Sequence, residues 1–331
     1  MHLQILIISA SRYRLRGALD DEITMTISVT PLHPLFCGAI SGLDLRHPVS
    51  VETLQSILQA LDRYAVLVFR QHPLTDSEQV AFSSLFGTLE APPVASLREA
   101  RPIRLGSRLL ADISNLDADN RIRSEQDPWR LFQNANQLWH TDSSFKRVPA
   151  GVSILSAREL PPSGGETEFA DVRAAYDELD QATRDRIEGL TAVHSIAYSR
   201  SLVGYEGLSE TERAALPPVT HPLVRIHPRS GRRSLYLGSH ASHIAGLRVS
   251  QGRALLQSLT EFATQPRFIY RHCWQLLDLV MWDNRCTLHR GRPYDELHYR
   301  RDMRRTTVLD VDLQHENGAH TKNIAQREPL A

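Results

Sequence analysis

The stretch Trp139-His140-Thr141-Asp142-Ser143-Ser144-Phe145 sets a His-x-Asp pair among strand-forming residues. Alternate side chains of a strand share a face, so this spacing predicts that His140 and Asp142 project together, away from Thr141. A third ligand must come from elsewhere, and His289, in Cys286-Thr287-Leu288-His289-Arg290, is the candidate. Two imidazoles and one carboxylate form the set that binds non-haem Fe(II) and leaves coordination positions open.

Neither motif identifies a metal site by itself. A His-x-Asp pair also occurs in proteins without a metal, and a lone histidine such as His289 is more often structural. The chain has 15 histidines, so a chance combination is easy. Both alternatives stay open at this point.

A basic stretch follows the second histidine: Arg300-Arg301-Asp302-Met303-Arg304-Arg305-Thr306-Thr307. In a strand, Arg301 and Arg305 would share a face with Met303 and Thr307. Two arginines facing one cavity need anions, because an unpaired buried charge is costly. The alternative is an exposed basic edge strand that resists aggregation.

Composition narrows the class of protein. The chain has 331 residues, 41% of them hydrophobic, and 38 basic residues balance 38 acidic ones. The zero net charge gives no sign of a nucleic-acid or membrane partner. Cys37, Cys273 and Cys286 form no CxxC motif, which favours free thiols and a reducing compartment. The apolar run at residues 1–8 is too short to span a bilayer. We therefore expect a cytoplasmic protein.

Periodicity predicts the element order. Apolar spacing predicts a helix from Val51 to Leu61, followed by a strand at 65–69. Thr75 and Glu78 form a capping box that opens a helix through Leu85, ended by Gly87. Residues 98–135 are predicted to be long loops, and helices are expected near 171–190 and 250–264. Short strands are expected at 152–155, 234–237, 268–270, 279–282 and 306–309. Short strands without βαβ alternation indicate a sandwich or jelly roll decorated with helices.

These segments resemble the taurine/2,4-dichlorophenoxyacetate family of Fe(II)- and 2-oxoglutarate-dependent dioxygenases. The similarity is strongest to the 2,4-dichlorophenoxyacetate dioxygenase branch and covers roughly residues 30–310. The matching segments are Pro31-Leu32-His33-Pro34-Leu35-Phe36, residues 136–145, Pro161-Pro162-Ser163-Gly164-Gly165-Glu166-Thr167-Glu168-Phe169, His240-Ala241-Ser242-His243, Trp282-Asp283-Asn284-Arg285-Cys286 and Leu288-His289-Arg290-Gly291-Arg292.

The resemblance implies a mostly β fold with flanking helices, a double-stranded β-helix or jelly roll of the cupin type. The expected organisation is a loosely attached extension at 1–24, one catalytic domain at 25–315 and a tail at 316–331. It implies Fe(II) as the metal, 2-oxoglutarate and O2 as cosubstrates, and stimulation by ascorbate. The implied partner is a small anionic substrate. The sequence leaves the oligomeric state open, a homo-oligomer included.

Family motifs also imply roles for single residues. The iron ligands would be His140, Asp142 and His289. Thr167 and Arg301 would bind the distal carboxylate of 2-oxoglutarate. Arg305 would face the cosubstrate or the substrate carboxylate. The implied substrate-side residues are Asn136, Ser144, His227 and His243, with Arg305; for His240 and His243 a structural role stays equally open.

The chain departs from the herbicide branch in two places. It is one residue longer between His289 and the first arginine, and strand alternation favours Arg301 and Arg305 over Arg300 and Arg304. It also places Ala95 where that branch has a lysine linked to substrate binding. Arg98 or Arg101 would supply the missing charge, or the substrate would differ.

The implied reaction is hydroxylation of a small carboxylate with release of succinate and CO2. If the hydroxylated carbon carries an ether oxygen, the product collapses and the ether is cleaved, as in the catabolism of aromatic compounds. Asp142 favours hydroxylation, because related halogenases replace this carboxylate with a small residue. The alternatives are a biosynthetic or sulfonate-directed hydroxylase on the same scaffold, and an inactive protein that binds metal and 2-oxoglutarate.

Overall fold

The structure is a computed structural model that describes residues 27–91 and 104–311. The strands are β1 Ser28–Pro31, β2 Gly38–Ser41, β3 Val66–Phe69, β4 Ala111–Ser114, β5 Ala150–Glu159, β6 Thr167–Asp171, β7 Thr191–His194, β8 Val219–Pro222, β9 Val224–Ile226, β10 Arg233–Leu235, β11 Ala241–Ile244, β12 Ile269–His272, β13 Leu279–Asp283, β14 Thr287–Gly291 and β15 Asp302–Leu309. The helices are α1 Val51–Tyr64, α2 Asp76–Ser84, α3 Pro128–Asn134, α4 Val172–Asp177, α5 Gln181–Ile187, α6 Ile196–Ser201, α7 Glu210–Ala215 and α8 Val249–Ala263, with 3-10 turns at Ala135–Gln137 and Pro266–Phe268.

Two sheets share an apolar layer. The larger has the order β1-β2-β3-β13-β5-β15-β4, and the smaller has the order β12-β6-β14. Phe169 of β6 is fully buried in one cluster with Leu155, Trp282 and Met303 of the larger sheet. In the larger sheet, every pair of neighbouring strands is antiparallel except β2 with β3. This packing of mostly antiparallel sheets, with helices outside, is the predicted jelly roll.

The first helix and strand follow the predicted local signals. Ser50 caps α1 by accepting from the backbone of Thr53 at 3.2 Å. Ala65 closes the helix in the left-handed region, at φ 57°, and donates to Leu61 O. Ala65 was expected to open the following strand, but this capping turn makes Val66 its first residue.

The second helix confirms the predicted capping box. Glu78 N donates to Thr75 Oγ1 at 3.2 Å, and Thr75 N donates to Glu78 Oε2 at 2.7 Å. These two bonds satisfy backbone donors that a helix start otherwise leaves unpaired.

The prediction of long loops at 98–135 is wrong for the part that the structure describes. Strand β4 pairs with β15, and α3 begins at Pro128, capped by the Asp127 side chain. Both elements are too short to show a periodic pattern. The helix expected at 171–190 is two helices, because the Asp180 side chain starts α5 anew.

Within the described ranges, no helix has the length and apolar character needed to cross a bilayer.

Candidate metal centre and cosubstrate cavity

The two histidines of the predicted triad face each other across a single antiparallel bridge. The expectation that His140 and Asp142 lie on one strand is wrong. After His140 the chain turns through residues 142–145, with Ser143 at φ 52°. The backbone N–H of Asp142 donates to the side chain of Asn284 at 3.1 Å, so no strand partner is needed there. A turn, rather than strand alternation, brings Asp142 beside His140.

The ligand atoms of the triad converge on one point. Asp142 Oδ1 lies 4.0 Å from His140 Nε2 and 3.7 Å from His289 Nε2. All three side chains are buried, and their ligand atoms lie within 4.8 Å of one another. Separations of this size let one ion contact all three groups, since metal–nitrogen and metal–oxygen bonds are about 2 Å long. The triad therefore forms a metal site.

A hydrogen-bonded network orients the carboxylate. Ser153 Oγ donates to Asp142 Oδ2 at 2.7 Å, which leaves Oδ1 facing the two histidines. Asn284 Nδ2 donates in turn to Ser153 Oγ at 2.9 Å. Trp282 Nε1 donates to Asn284 Oδ1 at 3.0 Å, which fixes the amide. Such outer partners hold a ligand in place and tune its basicity.

The histidine rings are oriented by different means. The 2.7 Å contact of His140 Nδ1 with Leu138 O makes this nitrogen the donor and leaves Nε2 free for a metal. The ring of His289 lies 4.8 Å from that of Trp282 and 6.1 Å from that of Phe169. Packing therefore sets the orientation of the second ring.

The protonation states suit a divalent metal. Burial lowers the pKa of both His140 and His289, so these rings are neutral. Burial alone would raise the pKa of Asp142, but the charge of Arg305, supported by the two histidines and Ser153, lowers it. Neutral imidazoles and an ionised carboxylate are the forms that bind a metal.

A cavity of about 110 Å³ opens beside the triad. His140 and His289 line it, together with predicted cosubstrate and substrate residues: Asn136, Thr167, Arg301 and Arg305. The aromatic side chains of Trp129 and Tyr294 form part of its wall.

Arg301 is a buried cation without a carboxylate partner in the described chain. Its Nη2 donates to Gly165 O at 3.1 Å, and its Nε has no partner. Burial lowers its pKa, opposed by Tyr294, over whose ring the guanidinium lies at 5.9 Å. A buried arginine of this kind suits a carboxylate guest. Thr167 accepts from Trp274 Nε1 at 3.0 Å and faces the same cavity.

Of the four arginines in the basic stretch, the two favoured by strand alternation face the cavity. Arg301 and Arg305 line the cavity, whereas Arg300 donates to Glu159 at 2.8 Å and Arg304 to Asp76 at 2.5 Å. Arg305 also pairs with Asp142.

Three predicted substrate residues do not line the cavity. Ser144 Oγ lies 3.0 Å from His194 Nδ1, and His243 Nδ1 lies 2.9 Å from Ser242 Oγ. His227 Nε2 donates to Asp283 Oδ2 at 2.9 Å, because its Nδ1 accepts from the backbone of Ser230. These contacts give the three side chains structural partners. Ala95, Arg98 and Arg101 lie outside the described residues.

His227, Asp283 and Cys286 also lie close enough together to suggest a metal site. However, Arg285 donates to both oxygens of Asp283, at 2.9 and 2.6 Å. Burial raises the pKa of the Cys286 thiol, whereas a metal ligand must be the thiolate. This cluster is a structural ion-pair network.

Sequence reasoning missed Ser153 and Trp274 as supports of the site. Ser153 interrupts the apolar run Val152-Ser153-Ile154-Leu155, and its hydroxyl is fully buried. A polar residue inside a predicted buried strand was the available signal. Nothing near Trp274 in the sequence indicated that it reaches Thr167.

The chain is similar to several known proteins. A family model described as Taurine catabolism dioxygenase TauD, TfdA family matches residues 28–307. An alpha-ketoglutarate-dependent 2,4-dichlorophenoxyacetate dioxygenase of Cupriavidus pinatubonensis is 48% identical over 287 residues, which cover 86% of this chain and 99% of the relative. An (S)-phenoxypropionate/alpha-ketoglutarate-dioxygenase of Sphingobium herbicidovorans is 37% identical over 273 residues, 81% of this chain and 90% of the relative. The crystal structure of AAD-2 in complex with Mn(II) and N-oxalylglycine has a TM-score of 0.83 and 48% identity, covering 86% of this chain and 98% of that one.

Proposed function

The chain belongs to the taurine catabolism dioxygenase TauD, TfdA family and is a 2-oxoglutarate-dependent dioxygenase, and we propose that it uses Fe(II) and O2 to oxidise small aryloxyalkanoic acids. The observation that carries the proposal is the placement of Arg301 and Arg305 in the cavity that holds the triad. Two cations at an iron site suit two carboxylate guests, the cosubstrate and the substrate.

The cosubstrate is assigned to the Arg301 side of the cavity. Arg301 and Thr167 would bind its distal carboxylate, with Trp274 holding the threonine hydroxyl. The 2-oxo acid end would then point toward the triad, where His140, Asp142 and His289 would hold Fe(II). When bound, the iron supplies the oxygen activation that couples decarboxylation to hydroxylation.

The aromatic part of the substrate is assigned to the cavity walls. Trp129, Trp282 and Tyr294 line the cavity, and aromatic rings prefer stacked or edge-to-face contacts with such walls. Arg305 would hold the substrate carboxylate and so place the adjacent carbon near the metal. Positioning of this kind is the main contribution of the protein, since a misplaced C–H bond is not oxidised.

Hydroxylation at the carbon between the ether oxygen and the carboxylate yields a hemiacetal. Its collapse breaks the bond between the hydroxylated carbon and the ether oxygen and releases a phenol and a 2-oxo acid. The hydroxyl proton passes to the departing phenolate oxygen. The collapse is redox-neutral, so no further oxidant is needed.

A substrate panel tests the proposal. The Fe(II)-loaded protein, with 2-oxoglutarate and ascorbate, would be offered aryloxyacetates, aryloxypropionates, alkyl sulfonates and amino-acid derivatives. We expect aryloxy acids to stimulate succinate release and to yield phenol. Stimulation by sulfonates or amino-acid derivatives alone would instead support the sulfonate-directed or biosynthetic alternative.

The domain organisation, the location and the oligomeric state are further parts of the proposal. We place the catalytic domain at 25–315, between an extension and a tail. A cytoplasmic location is supported by Cys37, Cys273 and Cys286, which are all free thiols. A homo-oligomer stays compatible with these features, and size-exclusion chromatography with light scattering would test it.

A further inference from the structure

Asn115 is a buried amide beside the cosubstrate cavity that the proposed reaction does not use. It directly follows β4, lines the cavity, and has only 5% of its surface exposed. Its Nδ2 donates to Glu296 O at 2.7 Å and to Tyr299 O at 2.8 Å. Its Oδ1 accepts from Arg301 N at 2.9 Å. Two carbonyls and one N–H as partners fix the orientation of the amide and engage both of its hydrogens.

All three partners belong to the β14–β15 loop, residues 292–301, which ends at Arg301. The start of this loop is held by the turn that precedes β6, where Gly165 N donates to Pro293 O at 3.2 Å. Its end is held by Asn115. The loop also carries two side chains that line the cavity, Tyr294 and Glu296. The position of the loop therefore shapes one side of the cavity.

The guanidinium of Arg301 depends on where this loop lies. It donates one hydrogen bond, from Nη2 to Gly165 O at 3.1 Å, and it lies 5.9 Å from the centre of the Tyr294 ring. A long side chain with one hydrogen bond is positioned mainly by its backbone. There is little slack, because a Cβ added at Gly165 would lie 3.1 Å from Arg301 Nε. A shift of the loop would move the guanidinium away from this contact.

A second buried amide holds the backbone of an arginine that faces away from the cavity. Gln79 of α2 is fully buried, and its Nε2 donates to Arg304 O at 2.9 Å and to Ile154 O at 3.2 Å. Its Oε1 accepts from Ser156 Oγ at 2.7 Å. Gln79 and Asn115 therefore make the same number of these bonds, but only Asn115 is tied to Arg301 and lines the cavity.

We propose that Asn115 is a positioning residue for the cosubstrate: it holds the β14–β15 loop and Arg301 where the guanidinium can bind the distal carboxylate of 2-oxoglutarate. The inference rests on the proposed function for the role of Arg301. Asn115 acts through Arg301 rather than by direct contact, because neither of its amide hydrogens is left to donate to a ligand.

The test is a double-mutant cycle of Asn115→Ala and Arg301→Ala. Affinity for 2-oxoglutarate would be measured by calorimetry on the anaerobic protein loaded with Mn(II). Asn115→Ala alone should weaken binding about 10-fold, as expected when a charged hydrogen bond is partly lost. In the Arg301→Ala background it should cost nothing further, because a residue that acts through another has no independent effect.

A second ligand separates positioning from general loosening. 2-Oxopentanoate has the same 2-oxo acid end as 2-oxoglutarate but carries a methyl group in place of the distal carboxylate. Its binding should be unchanged in Asn115→Ala, because it makes no use of Arg301. A loop that had merely become disordered would weaken the binding of both ligands.

Gln79→Ala is the matched control. It also removes a buried amide with three hydrogen bonds, so urea unfolding should show a comparable loss of stability. Its affinity for 2-oxoglutarate should equal that of the parent, since Gln79 holds Arg304 rather than Arg301.

Asn115→Asp serves if Asn115→Ala does not fold. It has the same shape and keeps the acceptor for Arg301 N, but it loses both donors to the loop. The weakening that it causes should again vanish in the Arg301→Ala background. Direct repulsion between the new carboxylate and the cosubstrate would persist there and would overturn the inference.

The remaining outcomes distinguish the inference from the proposed function. Equal weakening with and without Arg301, or equal weakening for the two ligands, would overturn the inference. So would a loss of 2-oxoglutarate affinity in Gln79→Ala as large as that in Asn115→Ala. If Arg301→Ala binds 2-oxoglutarate normally, the proposed cosubstrate site itself fails. If it binds weakly while Asn115→Ala binds normally, the proposed function stands and the inference alone is overturned.

Discussion

The backbones of His140 and His289 exchange two hydrogen bonds, from His140 N to His289 O at 3.0 Å and from His289 N to His140 O at 2.8 Å. The pair brings the imidazole centres to 4.2 Å although the residues are far apart in the chain. Main-chain bonds hold both histidines, so their positions do not depend on the third ligand.

Asp142→Ala should therefore abolish metal-dependent turnover and leave the fold largely intact. The variant keeps the His140–His289 bridge but loses the carboxylate that completes the ligand set. Succinate release with substrate and metal binding by calorimetry measure the loss, and circular dichroism checks the fold. Normal succinate production by the variant would contradict the assignment of the triad.

Ser153→Ala should weaken metal binding while retaining the ligands. The substitution removes the hydroxyl that donates to Asp142 at 2.7 Å and orients this carboxylate. Loss of a hydrogen-bond partner of a metal ligand typically costs about 10- to 100-fold in metal affinity. Ser156→Ala is the control, since Ser156 on the same strand donates to Gln79 Oε1 at 2.7 Å, away from the triad. Equal metal affinities for the two variants would show that the hydrogen bond does not matter.

Arg301→Ala should raise the KM for 2-oxoglutarate far more than Arg304→Ala. Arg301 faces the cavity and has no carboxylate partner among the residues that the structure describes, whereas Arg304 pairs with Asp76 and Asp302. A lost charged hydrogen bond of about 1.5–3 kcal/mol corresponds to roughly 10- to 100-fold. Steady-state kinetics at varied 2-oxoglutarate concentration measure the KM of each variant. Similar KM values for both variants would mean that Arg301 does not bind the cosubstrate.

His194 should make stability depend on pH. Burial, with His221 and Arg225 nearby, lowers its pKa from 6.5 to about 3. Below pH 6.5 the unfolded chain therefore binds a proton that the folded protein resists, and stability falls as the pH drops toward 3. Between pH 7 and 5 this one group costs about 2 kcal/mol of unfolding free energy.

His194→Gln should remove that share of the pH dependence, because an amide does not titrate and its oxygen or nitrogen can still bond Ser144. Urea unfolding at pH 7 and pH 5 measures the change in unfolding free energy between the two pH values for the variant and the parent. The same loss of stability in the variant and the parent would show that His194 is not the group responsible.

Local and alternating patterns were predictable from the sequence, and long-range contacts were not. The capping box at Thr75 depends on two residues that are three positions apart. The choice of Arg301 and Arg305 depends on the alternation of side chains along a strand. The turn that places Asp142 is held by Asn284, which lies 142 residues away in the chain. Strand alternation was therefore the wrong reason for a correct pair.

Asn115 and the histidines show the same difference between what a local pattern predicts and what only long-range contacts decide. Asn115 carries no signal in the sequence, because its bonds to Glu296, Tyr299 and Arg301 become visible only once the chain is folded. Conversely, His227 and His243 matched family positions, yet the folded chain gives them partners away from the cavity. Their suggested substrate roles lose support for that reason.

The central claim is that oxidation of an aryloxy acid is coupled to decarboxylation of 2-oxoglutarate at the triad. The most direct measurement is the ratio of phenol to succinate formed from an aryloxyacetate by the Fe(II)-loaded enzyme. We expect equal amounts of both products, and neither product when 2-oxoglutarate is omitted. Succinate without phenol, at the rate seen when the acid is absent, would contradict the claim.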